Sequence, residues 1–354
     1  MAIKTNKIFR RKSFWAGLLL AQFLLFFVLS KVPTAVYKFE NFFEFQKGLH
    51  QKLFSFLPFS VGDVFYVLLG IVTVFLIIKI INKKSRNSGL IKFLVLLNVL
   101  YFTYQIFWGM LYFQKPLIEK LPQKEPDVEA MKALALKYLE QCKQTRYLVD
   151  EDRYGVFKVY RKKALKSEIL KQQAVLPQFI NDKKAGVINS FKPSLFKGVM
   201  SYTGILGYYN PFTAEANYNS ELPSTYLPFT LAHESAHQLG YAREQEANFI
   251  GYLIGKNSTN DELRYSTEYF VLKSLLNAIA SEDEKFVKSI INQYSEEMKR
   301  DRFAERMFNR RHAGFLDAFF GFTNDLFLKS NQQEGSVTYS YFVDLLLRYE
   351  SSAQ

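Results

Sequence analysis

The sequence contains little cysteine and little histidine, and both scarcities restrict the chemistry open to it. A single cysteine, Cys142, excludes an intrachain disulfide and a zinc site built from several cysteines. Only four histidines occur among the 354 residues. A metal site with nitrogen ligands must therefore use a few specific positions.

Acidic residues are scarce in the first third of the chain. Residues 1–120 hold 16 Lys and Arg but only 4 Asp and Glu, whereas the remainder holds 30 and 29. The net charge of +13 therefore belongs almost entirely to the first third. The nearly neutral remainder shows no basic face of the kind that binds RNA or DNA, so we expect no nucleic-acid partner.

The first third contains three long apolar stretches, at about residues 13–32, 61–81 and 91–112. Each is long enough to cross a lipid bilayer as a helix, so residues 1–120 are predicted to form a membrane anchor with three transmembrane helices. The N-terminal tail carries five Lys or Arg and no acid, and so does the segment between the second and third stretches when the edges of the stretches, with Lys79 and Lys92, are included. The positive-inside rule places both in the cytoplasm, which puts residues 121–354 on the extracytoplasmic side of a multi-pass protein.

The second part of the chain has mainly helical patterns. Helices are predicted over residues 127–146, 164–180, 227–239 and 243–254, and from residue 259 to 349. Residues 198–219 are rich in Gly, Tyr and Asn and predict one or two strands, and Gly240 predicts a helix end. The predicted fold class is mostly α with a small β-sheet: a three-helix transmembrane anchor followed by an α+β domain.

Residues 233–237 read His-Glu-Ser-Ala-His and carry the most specific chemical signal. On an α-helix, His233 and His237 project from the same face, where two neutral imidazoles can bind Zn²⁺. Glu234 lies beside the first ligand and can take a proton from a zinc-activated water. This arrangement is typical of metallopeptidases, with Glu234 as the catalytic base.

A tetrahedral zinc also needs a third protein ligand, and two glutamates follow closely. Glu244 and Glu246 lie on nearly opposite sides of one predicted helix, so only one of them is expected to face the metal. Glu244 is preferred because it shares a face with Asn248, whose carbonyl can accept the free N–H of a histidine ligand. Glu246 remains the alternative. His312 is a further candidate, as a donor to the oxyanion.

The pattern His-Glu-x-x-His followed by Glu-x-x-Ala-Asn resembles the glutamate zincins, although Asn248 stands where those enzymes usually have Asp. The interval between His237 and Glu244 is shorter than in most of them, and the glycine after the second histidine is similar to the metzincin turn. Residues 207–251 and the apolar front also resemble a bacterial family of membrane proteins of unknown function with a zinc-peptidase signature.

These resemblances imply a zincin-like peptidase domain. Its edge strand, over residues 204–217, would align a peptide by β-addition, with Gly207, Tyr208 and Asn210 binding the substrate. The expected function is a zinc metallopeptidase of the bacterial cytoplasmic (inner) membrane that hydrolyses a peptide or protein in the cell envelope. The alternative is a non-catalytic scaffold or binding module stabilised by zinc.

Overall fold

The computed structural model of the protein describes residues 7–123, 127–188, 190–314 and 338–352. Part of the helical pattern predicted after residue 259 lies outside the described residues. Within them the protein is mostly helical with one three-stranded sheet, so the predicted fold class is confirmed at this level. The zincin-like character of the domain and the boundary at residue 120 stay predictions.

In the described part of the chain, three helices are long and apolar enough to cross a membrane: α1 (Lys12–Ser30), α3 (Val61–Ile81) and α4 (Arg86–Phe107). Both α1 and α3 lie close to their predicted ranges. Helix α4 begins and ends earlier than the predicted 91–112. It ends at Phe107 because the backbone leaves the helical conformation at Trp108 and continues as a 3₁₀ turn over Gly109–Phe113.

The segment between α1 and α3, expected as a loop, forms the helix α2 (Pro33–Ser55). Val36 and Phe43 are buried on one side of α2, and the buried Lys47 donates hydrogen bonds to the main-chain oxygens of Lys184 and Leu239. Helix α2 therefore joins the apolar helices to the second part of the chain. The sequence did not predict this helix, because two Glu and several Lys interrupt the apolar pattern that its Phe residues form.

The remaining helices enclose one main hydrophobic core. They are α5 (Val128–Arg146), α6 (Lys162–Ala174), α7 (Lys197–Thr203), α8 (Leu227–Leu239), α9 (Glu244–Lys256), α10 (Asp261–Ile279), α11 (Glu284–Asn292), α12 (Glu296–His312) and α13 (Thr338–Ser352). Helix α10 packs on α5, α8 and α9, and α13 packs on α9 and α10. Fully buried aromatic side chains, among them Phe249, Tyr252, Tyr265 and Tyr269, fill the space between these helices.

The sheet has the strand order β1 (Phe191–Pro193), β3 (Glu215–Tyr218), β2 (Gly207–Asn210). Strand β3 pairs parallel with β1 and antiparallel with β2. Strands β1 and β2 are the two edges of the sheet. The edge strand predicted over residues 204–217 was wrong in extent, because only β2 forms this edge and a turn separates it from the central strand β3. Strand β1 was missed, and α7 occupies the start of the region predicted as strand.

Helices α8 and α9 match their predicted positions. Pro228 occupies the first turn of α8, where a missing N–H costs nothing, and all its residues except His233 are buried. Gly240 ends the helix with φ of 107°, a left-handed conformation that glycine adopts without strain. The chain then turns at once into α9, which lies against α8.

Candidate metal centre

The side chains of His233, His237 and Glu244 converge at the junction of α8 and α9. The Nε2 atoms of the two histidines are 3.1 Å apart. A Glu244 oxygen lies 3.2 Å from Nε2 of His233, and the other oxygen lies 3.6 Å from Nε2 of His237. All three groups lie within 4.8 Å of one another, so they form one potential ligand set.

These spacings fit a tetrahedral zinc ion. With Zn–N and Zn–O bonds of 2.0–2.2 Å, neighbouring tetrahedral ligand atoms are about 3.3–3.6 Å apart. The observed separations of 3.1, 3.2 and 3.6 Å, of which the last two involve different oxygens of Glu244, scatter around that range. Two imidazole nitrogens and one carboxylate are also the donor set of a catalytic zinc site, which leaves a fourth position for water or substrate.

A hydrogen bond at Nδ1, the nitrogen that faces away from the ligand group, fixes the orientation of each imidazole. Nδ1 of His233 lies 2.8 Å from Oδ1 of Asn248, and Nδ1 of His237 lies 2.6 Å from the main-chain oxygen of Tyr241. Each acceptor requires the proton on Nδ1, so Nε2 is the nitrogen that each neutral ring would present to a metal. The sequence predicted the contact between Asn248 and a ligand histidine. The contact of the Tyr241 carbonyl with His237 could not be predicted, because it involves a main-chain atom that the turn after Gly240 positions.

The structure brings Glu244 to the histidines and places Glu246 elsewhere. The Glu246 carboxylate accepts hydrogen bonds from Arg243 at 3.0 Å and from the N–H of Leu117 at 2.9 Å, in a buried position. Glu244 begins α9, where the positive end of the helix dipole favours a carboxylate. Its side chain is 35 % exposed, so the group can be reached from solvent.

Glu234 lies against strand β2, and one of its two carboxylate oxygens has no hydrogen-bond partner among the described residues. Its side chain is buried, and among the described residues its Oε2 atom has no hydrogen-bond partner. A Cβ atom placed on Gly207 would lie 2.6 Å from Oε1 of Glu234. Glycine at this position of β2 therefore allows the strand backbone to lie directly against the catalytic-base candidate.

Burial and mutual charge shift the pKa values of the acidic and basic groups in different directions. Burial raises the pKa of Glu234 to about 7. Burial alone would lower the pKa of His237, but the adjacent Glu244 carboxylate outweighs it and raises that pKa to about 9. For Glu244, burial is outweighed by the neighbouring histidines, which hold the pKa of that carboxyl well below its usual range.

The other predicted site residues have different surroundings. His312 ends α12, with Nδ1 at 2.9 Å from the Phe308 carbonyl and its ring edge-on to Tyr202, so its described contacts do not include the histidine pair. Tyr208 donates a hydrogen bond to Asp63 at the start of α3. The buried Asn210 uses its Oδ1 to cap the turn after β2. Of the three predicted substrate contacts, only Gly207 lies against the catalytic motif.

Aromatic residues that sequence reasoning passed over form one wall of the centre. The ring of Trp108, at the end of α4, meets the ring of His237 edge-on at 5.8 Å between centroids. Tyr209 of β2 lies against Trp108 at 4.4 Å between centroids. Trp108 belongs to the apolar front of the sequence, so only a tertiary contact could connect it with the His-Glu motif.

The chain belongs to a family described as a protein of unknown function, DUF3810, whose model matches residues 39–347. The match covers most of α2, the apolar helices α3 and α4, and the whole candidate centre. No curated protein and no solved structure matches the chain. The expected membership of a family of unknown function is confirmed, and the description names no activity, so the zinc-peptidase signature stays a prediction.

Proposed function

We propose that this protein is a membrane-anchored zinc metallopeptidase. The observation that carries the proposal is the juxtaposition of three converging ligand atoms with a buried carboxylate, Glu234, that retains an unpartnered oxygen. A purely structural zinc site has no need for such a group and usually has four protein ligands. A carboxylate oxygen that has no partner among the described residues is available to accept a proton from water.

In this mechanism His233, His237 and Glu244 would hold Zn²⁺, and Asn248 and the Tyr241 carbonyl keep the histidines aligned. When bound, the ion would polarise the peptide carbonyl and make a water molecule more acidic. Glu234 accepts the proton of the attacking water on its free oxygen and passes it to the leaving amine.

The free edge of β2 supports a peptide as the substrate. Strand β3 pairs with one side of β2, and the other side of β2 is the edge of the sheet. An extended peptide can add to that edge by main-chain hydrogen bonds, in the manner of β-addition. Because Gly207 has no side chain, the added peptide would run close to Glu234 and the ligand group.

The arrangement of the apolar helices supports the predicted location. Helix α3 begins and α4 ends next to the peptidase part, while the turn between them, with Lys83 and Lys84, lies at their opposite end. If these helices span the bilayer, the basic turn belongs in the cytoplasm by the positive-inside rule. The ligand group then lies on the extracytoplasmic side of the bacterial inner membrane, with an envelope peptide or protein as substrate.

The decisive variant is Glu234→Gln, which preserves the size of the side chain but cannot accept the proton. Full-length protein purified in detergent should bind one zinc ion in both forms. The wild type should hydrolyse an unstructured peptide mixture, and the variant should lose at least about a hundredfold in turnover. Equal turnover would disprove the mechanism, and zinc binding without hydrolysis in the wild type would favour the scaffold function instead.

A further inference from the structure

The candidate centre is connected to the apolar helices by buried contacts at two places. At the start of α3, the fully buried Glu215 of β3 accepts hydrogen bonds from the N–H groups of Val61 at 3.1 Å and Gly62 at 2.6 Å. Asp63, also fully buried, accepts from the N–H of Leu195 at 2.6 Å and from Tyr208 of β2. The hairpin that provides the free edge is therefore attached directly to the end of α3.

The second connection joins α4 to the metal-binding helix. Trp108 contacts the His237 ring, and six residues later Gln114 donates a hydrogen bond to the Gly240 carbonyl at 2.9 Å. Arg243, which precedes α9, donates to the main-chain oxygen of Gln114 at 2.6 Å. The start of α3 thus contacts Tyr208, the neighbour of Gly207 in β2, and the residue that follows α4, Trp108, contacts His237 directly.

Aromatic residues of the apolar helices gather at this same end. They are Tyr66 on α3, Tyr101 and Tyr104 on α4, and Trp108 with Tyr112 just beyond it. Tyr and Trp are enriched at the surface of a bilayer, where the ring is apolar and the polar atom meets water. Trp108 and Tyr112 are buried inside the protein, so the half-buried Tyr66 and Tyr101 are the members of this group that can meet the bilayer surface at this end of the helices.

Helix α2 indicates the plane of that surface. It crosses the same ends, with Phe39 near Phe26 of α1 and Phe42 stacked on Phe107 of α4. One narrow stripe of α2 and the residue after it exposes five large apolar side chains, which are between 39 % and 79 % exposed: Phe42, Phe45, Leu49, Leu53 and Phe56. Their spacing of three and four residues places them along one side of the helix. This stripe continues the apolar surface of the transmembrane helices, so lipid is its natural contact.

The opposite side of α2 supports the metal-binding helix. Phe43 packs against the end of α8, where a Cβ on Gly240 would lie 2.8 Å from its ring. Lys47 donates to the carbonyl of Leu239, the last residue of α8. A single helix lying on the bilayer therefore separates the lipid from the end of the helix that carries His233 and His237.

We infer that the substrate is a polypeptide held in the same membrane, and that it is cut close to the point where it leaves the bilayer. This inference rests on the proposed peptidase function and adds the class of substrate. A helix is about 10–12 Å thick, which an extended chain crosses in about four residues. A peptide bond a few residues outside the lipid thus reaches the β2 edge, whereas a freely diffusing peptide gains nothing from this placement.

The test uses full-length protein in vesicles of phosphatidylethanolamine and phosphatidylglycerol, loaded with zinc. One reporter peptide is presented in three ways: free, about 6 residues from an inserted hydrophobic helix, and about 30 residues from the same helix on a flexible linker. We expect the short-spaced substrate to be cut at least about tenfold faster than the long-spaced one, because the long linker dilutes the peptide around the site. Equal rates for the three substrates would overturn the inference.

The outcomes separate this inference from the proposed function. Hydrolysis that depends on Glu234 but shows no preference for the short spacer leaves a peptidase with a different substrate class. The absence of hydrolysis of all three substrates by the wild type would overturn both proposals.

A second readout needs no activity. Cys142 is fully buried, so a bimane label attaches only to a thiol introduced on the surface. We expect a lipid-borne quencher to quench the label on Leu49→Cys, which lies in the apolar stripe, more strongly than on the neighbouring Gly48→Cys, which faces another direction. Equal quenching at the two positions would contradict the placement of α2 on the bilayer.

Discussion

The orientation of the two histidine rings depends on the hydrogen-bond acceptors at their Nδ1 atoms, which are Oδ1 of Asn248 and the main-chain oxygen of Tyr241. Nδ1 of His233 lies against an amide oxygen and Nδ1 of His237 against a main-chain carbonyl, so both rings present Nε2 to the same point. Glu244 completes the group from the first turn of α9. The four-residue spacing of the histidines predicts a shared face, but the depth and tilt of each ring depend on these acceptors.

At the residue scale, the account predicts a specific role for Asn248. In Asn248→Ala, the His233 ring loses its acceptor and can rotate, so zinc affinity should fall about 10–100-fold. The matched control is Asn257→Ala, the same change at an exposed position after α9. Competition with a fluorescent zinc chelator measures both variants. Unchanged affinity in Asn248→Ala would show that the contact is not needed.

At the scale of elements, the centre requires a strand, a helix and a turn to meet. Helices α8 and α9 were predictable because their periodic patterns are long and a glycine separates them. The edge strand was predictable only approximately, since β2 has four residues and its neighbour β3 follows after a short turn. Strand β1, with three residues, and the mixed helix α2 carry too little periodic signal to be found from the sequence.

The contact between β2 and α8 gives a prediction for Gly207→Ala. The added methyl group would meet the Glu234 carboxylate, a flexible group that can move aside. We therefore expect the protein to fold and bind zinc, while turnover falls on the order of a hundredfold because the base leaves its position. Gly198→Ala is the control, since a Cβ there has no neighbour within 4 Å. Wild-type turnover in Gly207→Ala would contradict the proximity of base and strand.

At the scale of the whole molecule, the apolar helices and the second part of the chain act as one unit. The sequence divides them by composition and charge, which suggests an anchor with a separate domain. The structure instead places Trp108 against His237 and Glu215 against the start of α3. Composition reveals which residues prefer lipid, but it contains no information about which side chains from the two parts touch.

The Glu215 contact predicts that the connection between the two parts contributes to stability. Glu215→Ala would leave the N–H groups of Val61 and Gly62 buried without an acceptor, at a cost of at least about 2 kcal/mol. Thermal unfolding in detergent should therefore begin at a lower temperature than in the wild type. Glu282→Ala, a change at an exposed glutamate, should leave the transition nearly unchanged. Identical transitions in the two variants would refute this connection.

The central claim is that His233, His237 and Glu244 form a catalytic zinc site, and X-ray absorption at the zinc edge of the purified full-length protein tests it most directly. The account predicts one zinc ion per chain with two imidazole nitrogens at about 2.0–2.1 Å and the remaining ligands oxygen. In Glu244→Ala the ion should be lost or bound more weakly, because one of its three protein ligands is missing. A protein that binds no zinc, or whose zinc shows no imidazole ligands, would contradict the account.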